Sequence, residues 1–425
     1  MDNILKNNNL ILKRLIWGYF FLLIFEGALR KWFFPALTAP LMIVRDPVVF
    51  LIYVISLKKK QFPVNLFIGL TFFLLILTLI TSLFNGSNNL FILFYGLRSN
   101  FFYIPLIFII RKTFDFNDVK CLGKIVLIIS IPMTILAILQ FINPCDHFLN
   151  IAVDVAGTQI SSAFGRIRPA ATFSYVTGTA QFFTLASAFI FYGLIERKSY
   201  PLGLVIFSLT GLIVTMVISG SRLLIVMVFF VFTAAVIIYI FKKHLKIHWF
   251  RFILIFFTIF VFLYFIRYFP FFQTGLDVLQ YRFFGLDQQH SLSYRALKWW
   301  SEIMKSLANA PFFGFGAGKG TNVAAQILIG QRAFILQENN YCRIILENGP
   351  LLGLSFISFK LLLTGFLFKE SLKEFLNANS LPLLLFAADV ILISKTNWSQ
   401  TTTLGFAVFT AGLILAAANQ KNHEF

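Results

Sequence analysis

Charge is what this sequence has least of. Only 12% of its 425 residues are Asp, Glu, Lys or Arg, and the acidic ones number 17. A soluble domain carries about 25% charged residues. A chain that is 58% hydrophobic, with half that charge, has too little polar surface to stay in water. One or two soluble domains, the prior from length alone, are thereby excluded. Cysteine is nearly absent too. Cys121, Cys145 and Cys342 show neither metal-ligand nor CxxC spacing, which argues against a disulfide framework and a zinc site. Cys145 and Cys342 can pair, though nothing in the sequence demands it. Of the scarce histidines, His147 and His290 have no partner at ligand spacing. No metal or cofactor is called for. The surplus of 36 basic over 17 acidic residues gives a net charge of +19. Nucleic acid is not its first explanation, because basic loops beside membrane spans give the same number.

What the chain has is long apolar runs, including 56 Phe. A membrane span needs about 20 mostly apolar residues. Candidate segments lie at 14–30, 41–57, 64–84, 91–110, 121–143, 177–196, 201–219, 221–241, 250–269, 343–368, 380–396 and 402–418. The fold class expected is all-α, a polytopic bundle of about 12 transmembrane helices forming one integral membrane domain over 1–425. Short-loop basic residues set the orientation. Lys6, Lys13 and Arg14, the run Lys58-Lys59-Lys60, then Arg111, Lys112, Lys120 and Lys124 fall on one side. So do Arg197, Lys198, Lys242, Lys243, Lys246, Arg251, Lys369, Lys373 and Lys421, whereas loops 85–90 and 397–401 hold no Lys or Arg. Both termini are therefore predicted to be cytoplasmic, in a multi-pass protein of the cytoplasmic membrane.

Two long connections then face outward, 144–176 and 270–342. The second far exceeds the roughly 12–15 residues usual for a structureless loop, so it is expected to be folded or functional. Tyr294 to Lys305 has apolar positions at helical spacing. The outward basic residues run against the orientation rule: Arg30, Lys31, Arg166, Arg168, Arg222, Arg267, Arg282, Arg295, Lys298, Lys305, Lys319, Arg332 and Arg343. Most read as solvated loop charge. Arg222 is different, because Ser219-Gly220-Ser221-Arg222 is a break of a few residues between two apolar runs. An Arg held there must find an anion, a carboxylate or a lipid phosphate, and its planar fork suits both. Within spans, Glu26 and Arg30 share a helical face. With Arg45, Asp46 and Arg98 they read as an interhelical ion-pair network, or as functional groups. The glycines of Gly314-Phe315-Gly316-Ala317-Gly318-Lys319-Gly320 lack the Walker pattern but suit either a turn that offers amides to an anion or a plain turn. Glu338 and Glu347, nine apart, do not form a facing pair; each can salt-bridge Arg332 or Arg343, or take a proton from a substrate hydroxyl.

Together these segments resemble the O-antigen ligase and O-antigen polymerase superfamily. The Ser219-Gly220-Ser221-Arg222 junction is similar to a conserved span junction of that family. Arg295, Trp300 and Ala310-Pro311-Phe312-Phe313-Gly314-Phe315-Gly316 follow in the family's order, then Glu338-Asn339-Asn340-Tyr341 and Glu347-Asn348-Gly349. Upstream, Arg168-Pro169-Ala170-Ala171-Thr172-Phe173 is similar to a further motif, so the likeness covers roughly 160–355. One departure is chemical: Glu338 stands where the family has a histidine before Asn. The resemblance implies a GT-C-like, metal-independent glycosyltransferase acting on the outer membrane face. Its donor is a polyprenyl-pyrophosphate-linked oligosaccharide and its acceptor a glycan or lipid. With that chemistry in view, catalysis is expected of Glu338, Arg222 and Arg295, and substrate binding of Arg166, Arg168, Lys298, Lys319, Asn339 and Tyr341. The competing expectation, from Arg98 and Asp389 within spans, is a transporter or flippase for an anionic or lipid-linked solute.

Overall fold

In the computed structural model of the chain, residues 2–84, 89–153, 159, 162–196, 198–241, 264, 266–284, 292–331 and 333–419 are described. They form helices and no strands. The principal helices are Asp2–Ala28 (α1), Arg45–Lys58 (α2), Leu66–Phe84 (α3), Leu90–Leu97 (α4), Ile104–Thr113 (α5), Phe116–Ile142 (α6), Val176–Ile195 (α7), Leu202–Ile218 (α8) and Arg222–Phe241 (α9). Then come Pro270–Phe284 (α10), Leu292–Asn309 (α11), Asn322–Ile329 (α12), Asn340–Asn348 (α13), Pro350–Leu376 (α14), Leu381–Ser394 (α15) and Thr401–Ala417 (α16). Among the described residues seven helical stretches are long and apolar enough to cross a membrane, and α8, α15 and α16 are shorter apolar helices. The expected span 250–269 lies mostly outside the described residues. The described parts of 270–342 hold α10, α11 and α12, and α11 covers the stretch whose periodicity is helical.

Side-chain contacts sort the helix ends into two groups, as an alternating bundle requires. At one end Lys13 bridges Asp118 at 2.5 Å, Arg111 reaches Glu370 at 3.5 Å, and Asn379 donates to the carbonyl of Ala417 at 2.9 Å. Asp115 and Asp118 there form a reciprocal capping box that starts α6. At the other end Arg45 donates to the carbonyl of Thr401 at 2.7 Å, and Arg30 to Ser174 at 3.2 Å. Helix α16 runs through the centre, buried on every side from Thr403 to Ala417. Helices α3, α9 and α14 lie outermost and expose Phe73, Phe229 and Leu362, the surface expected where lipid is the solvent.

Glu26, Arg30, Arg45, Asp46 and Arg98 form the expected ion pairs between helices. Glu26 accepts from Arg45 at 2.9 Å and from Arg30 at 3.4 Å. Asp46 accepts from Arg98 Nη2 at 2.8 Å and from the Tyr103 hydroxyl. Arg30 and Arg98 sit in π-helical turns, Leu29–Phe33 and Arg98–Phe102, whose wider backbone re-aims the side chains that follow a straight helix. Three of the outward cations are buried, not solvated, and for Arg30 this goes with its expected pairing to Glu26. Arg30 is 5% exposed, Lys31 1% and Arg343 0%. For Arg30 and Lys31 the reason is long-range: segment 171–174 folds over the end of α1, and Lys31 Nζ donates to the carbonyl of Ala171 at 2.6 Å. Glu26→Gln removes the charge shared by Arg30 and Arg45 but keeps one acceptor oxygen. It is expected to cost about 1–3 kcal/mol, read as a lower thermal midpoint of the purified protein; an unchanged midpoint contradicts the network.

Candidate functional site

The junction between α8 and α9 turns because Gly220 takes φ +53, in the left-handed region that suits glycine. Ser219 Oγ accepts from the Ser221 amide at 3.3 Å, and Ser221 Oγ from the Leu224 amide at 3.4 Å, so the first turn of α9 is capped by hydroxyls. Arg222 is the first residue of that helix. A Cβ on Gly220 would meet Arg282 Cδ and Val278 Cγ1, each at 3.3 Å. The side chain of Arg282, on α10, therefore lies directly over the junction. Val278 and Arg282 are four apart and share a face. Helix α10 is held there by a small core of Ala137, Phe141, Val214, Val217, Ile218, Ile266 and Phe272.

Arg168 completes the group from the connection before α7. Its neighbours Ile167 and Ala170 are buried, fixing that strand of chain. The loop just before is closed by the Ser162 amide donating to the Arg166 carbonyl at 2.6 Å, and Phe164 packs on Tyr281 of α10 at 5.9 Å. Burial, then the guanidiniums of Arg282 and Arg222, push Arg168 down to about 10. It remains a cation at neutral pH, held near two like charges, and its buried Nε has no hydrogen-bond partner among the described residues. Three guanidiniums thus converge at the ends of α8, α9 and α10. Their shared field favours an anion with several oxygens, such as a phosphate or pyrophosphate.

The other expected residues fall elsewhere. Arg166 donates to the carbonyls of Ile142 at 2.9 Å and Phe141 at 3.4 Å, which caps the C-terminus of α6. Arg295 belongs to α11, but its side chain, with Arg332 and His290, lies outside the described residues. Lys298 is exposed on α11 and Lys319 half-buried in the glycine run. Glu338 is exposed just before α13. Asn339 caps that helix by accepting from the Tyr341 amide at 3.1 Å. Tyr341 donates to the Ser394 carbonyl at 3.1 Å and its ring lies 5.7 Å from Trp299, over which Lys395 sits at 4.9 Å. Tyr341 is thus grouped with Trp299 and Lys395, with Glu338 and Asn339 just before it in the chain, on elements different from those that carry Arg168, Arg222 and Arg282. His147 caps a short turn through Nδ1, and all three cysteines are free.

The glycine run offers its amide to an anion that belongs to the chain. Gly320 N–H donates to Glu347 at 2.9 Å, and the same carboxylate pairs with Arg343 at 3.0 Å, both side chains fully buried. Gly316 and Phe315 amides donate to the carbonyls of Glu347 and Leu346 at 2.9 and 2.7 Å. The run is therefore a structural clasp on α13. Gly318 has φ +87 and its backbone lies against Gly96 of α4, so a methyl there would overlap the Ile92 carbonyl. Gly318→Ala is expected to cost about 1–3 kcal/mol by overpacking, seen as lower yield of folded protein; wild-type yield and midpoint would refute the close approach.

Arg282 is the residue that sequence alone does not single out. It stood as one outward cation among thirteen, and only the packing of α10 on α8 brings it to the junction. Trp299 and Lys395 were likewise unmarked. Comparison with protein-family models, characterised proteins and solved structures returns no match. Among the described residues no group of three His, Cys, Asp or Glu is placed to hold a metal ion.

Proposed function

We propose that the chain is a multi-pass glycosyltransferase of the cytoplasmic membrane, with both termini cytoplasmic, that polymerises or transfers polyprenyl-pyrophosphate-linked oligosaccharide on the outer face. Polymerisation is favoured over ligation. The observation that supports this reading is the convergence of Arg168, Arg222 and Arg282. In the reaction an acceptor hydroxyl attacks the anomeric carbon of the donor. A glycosidic bond forms, the bond from that carbon to the pyrophosphate oxygen breaks, and the acceptor proton leaves to a base. Negative charge grows on the departing pyrophosphate, and fixed guanidiniums aimed at it stabilise the transition state more than the ground state. Glu338, with an exposed carboxylate, positions or deprotonates the acceptor hydroxyl. Deleting the gene and separating surface polysaccharide on gels tests this. Loss of long chains with single capped units remaining fits a polymerase, loss of all attached units fits a ligase, and an unchanged glycan contradicts both.

A second reading, transport without covalent chemistry, is favoured by one observation. Asp389 is fully buried in α15, and neither of its carboxylate oxygens has a hydrogen-bond partner among the described residues. Intramembrane carboxyls of this kind mark ion or substrate paths. Proteoliposome flux of a lipid-linked or anionic solute that is abolished by Asp389→Asn, with no glycan transferred, would establish that reading instead.

A further inference from the structure

Helix α11 has two apolar stripes, and the protein covers one of them. On the covered side Ile303 and Ser306 are buried and Trp299 and Leu307 half-buried, with Trp299 against Tyr341 of α13. The next sector around the helix holds Leu297, Trp300 and Met304, which are 71%, 57% and 42% exposed. Spacings of three and four residues put these three in one stripe. Beyond it come Lys298 and Lys305, both exposed and seven residues apart, so they share a side. Going round the helix the order is protein, bare apolar stripe, cations. The acidic residue of this stretch, Glu302, is half-buried away from the stripe.

The level of α11 relative to the spans is fixed at its C-terminal end. Three residues after Asn309 comes Phe312, 65% exposed, whose ring lies 5.0 Å from Phe313. Phe313 in turn stacks at 6.5 Å on Phe84, the last residue of the apolar span α3. The bare stripe therefore continues, through two exposed phenylalanines, into a surface that ends a membrane span. We propose that α11 lies in the plane of the membrane interface. Leu297, Trp300 and Met304 dip into the boundary between headgroups and acyl chains, and Lys298 and Lys305 meet lipid phosphates. Tryptophan concentrates at that depth, and lysines flanking a narrow apolar stripe are the pattern of an in-plane helix. A stable protein partner would need about 800 Å² per side, more than three side chains supply. The bilayer thereby holds the element that carries Trp299 and backs the Glu338–Tyr341 edge, and Lys298 serves lipid. The inference rests on the membrane fold and is independent of glycan chemistry.

The test uses the full chain with its three cysteines replaced by alanine. Single variants Leu297→Cys, Trp300→Cys, Met304→Cys, Lys305→Cys and Asn309→Cys are spin-labelled in phosphatidylglycerol–phosphatidylethanolamine nanodiscs. Collisional access to oxygen, which concentrates in lipid, is compared with access to a water-soluble nickel chelate. Oxygen is expected to dominate several-fold at 297, 300 and 304, and nickel at 305 and 309, in the helical period. Adding Trp300→Glu to the 297 label should shift it toward nickel, a local readout that does not depend on an unperturbed midpoint. Nickel dominance at all five positions would overturn the proposal. So would labels at 300 and 304 shielded from both reagents, as when a second protein covers the stripe.

Discussion

Glu347→Gln is expected to cost about 3–5 kcal/mol, because removing one partner of a buried ion pair leaves the other charge uncompensated. Arg343 is 0% exposed and its Nη1 donates to both carboxylate oxygens of Glu347, at 3.1 and 3.0 Å. Its Nη2 reaches only neutral acceptors, Asn100 at 3.3 Å and Asn340 at 3.1 Å. Water cannot replace the lost charge in a site closed by the glycine run and by α4. The clasp would fail with it, since Gly320 N–H donates to the same carboxylate. Replacing both charges together, Arg343→Met with Glu347→Leu, should recover much of the loss, because an apolar pair has no charge to strand. Recovery should be incomplete, as the Gly320 amide would remain unpaired at about 1–3 kcal/mol. Thermal or denaturant midpoints of the detergent-solubilised variants read both effects. A single variant as stable as wild type would mean that Arg343 is compensated elsewhere.

Arg222→Ala is expected to lower turnover by about 10²–10³-fold, the usual effect of removing one preorganised donor from a developing anion. Binding of the donor should weaken less than turnover, because the leaving pyrophosphate carries more charge in the transition state than in the bound substrate. Arg282→Ala should behave alike, since its side chain lies over the same junction. Arg222→Lys should recover only part of the loss: charge returns, but the planar two-pronged contact does not. Arg166→Ala should affect stability more than turnover, because its guanidinium is engaged with carbonyls at the end of α6. Equal losses for Arg166 and Arg222 would show that the converging guanidiniums are not special.

The helices were legible because length and hydropathy decide them. Apart from 250–269, each expected span meets a helix, from 64–84 against Leu66–Phe84 to 402–418 against Thr401–Ala417. Amphipathic α11 was legible from its period. Arg222 was legible because it sits beside a backbone break at a span end, and Arg168 only through the resemblance of the Arg168–Phe173 segment. Arg282 was not, since its place depends on Phe272 and Val278 packing α10 onto the end of α8, a contact between segments far apart in the chain. The burial of Arg30 and Lys31 was hidden for the same reason: the segment that covers them lies 140 residues away. Arg343 and Glu347 stood at the right spacing to pair, but spacing does not tell a solvated pair from a buried one. Burial there comes from the glycine run folding back over α13.

The most direct test is transfer by the purified wild-type protein, reconstituted in lipid and supplied with a polyprenyl-pyrophosphate-linked oligosaccharide and its acceptor glycan. The account predicts a lengthened glycan and release of polyprenyl pyrophosphate in equal amounts, both reduced at least a hundredfold, ~10², in Arg222→Ala. Undiminished transfer by folded Arg222→Ala, or an intact donor after prolonged incubation with folded wild-type protein, would contradict it.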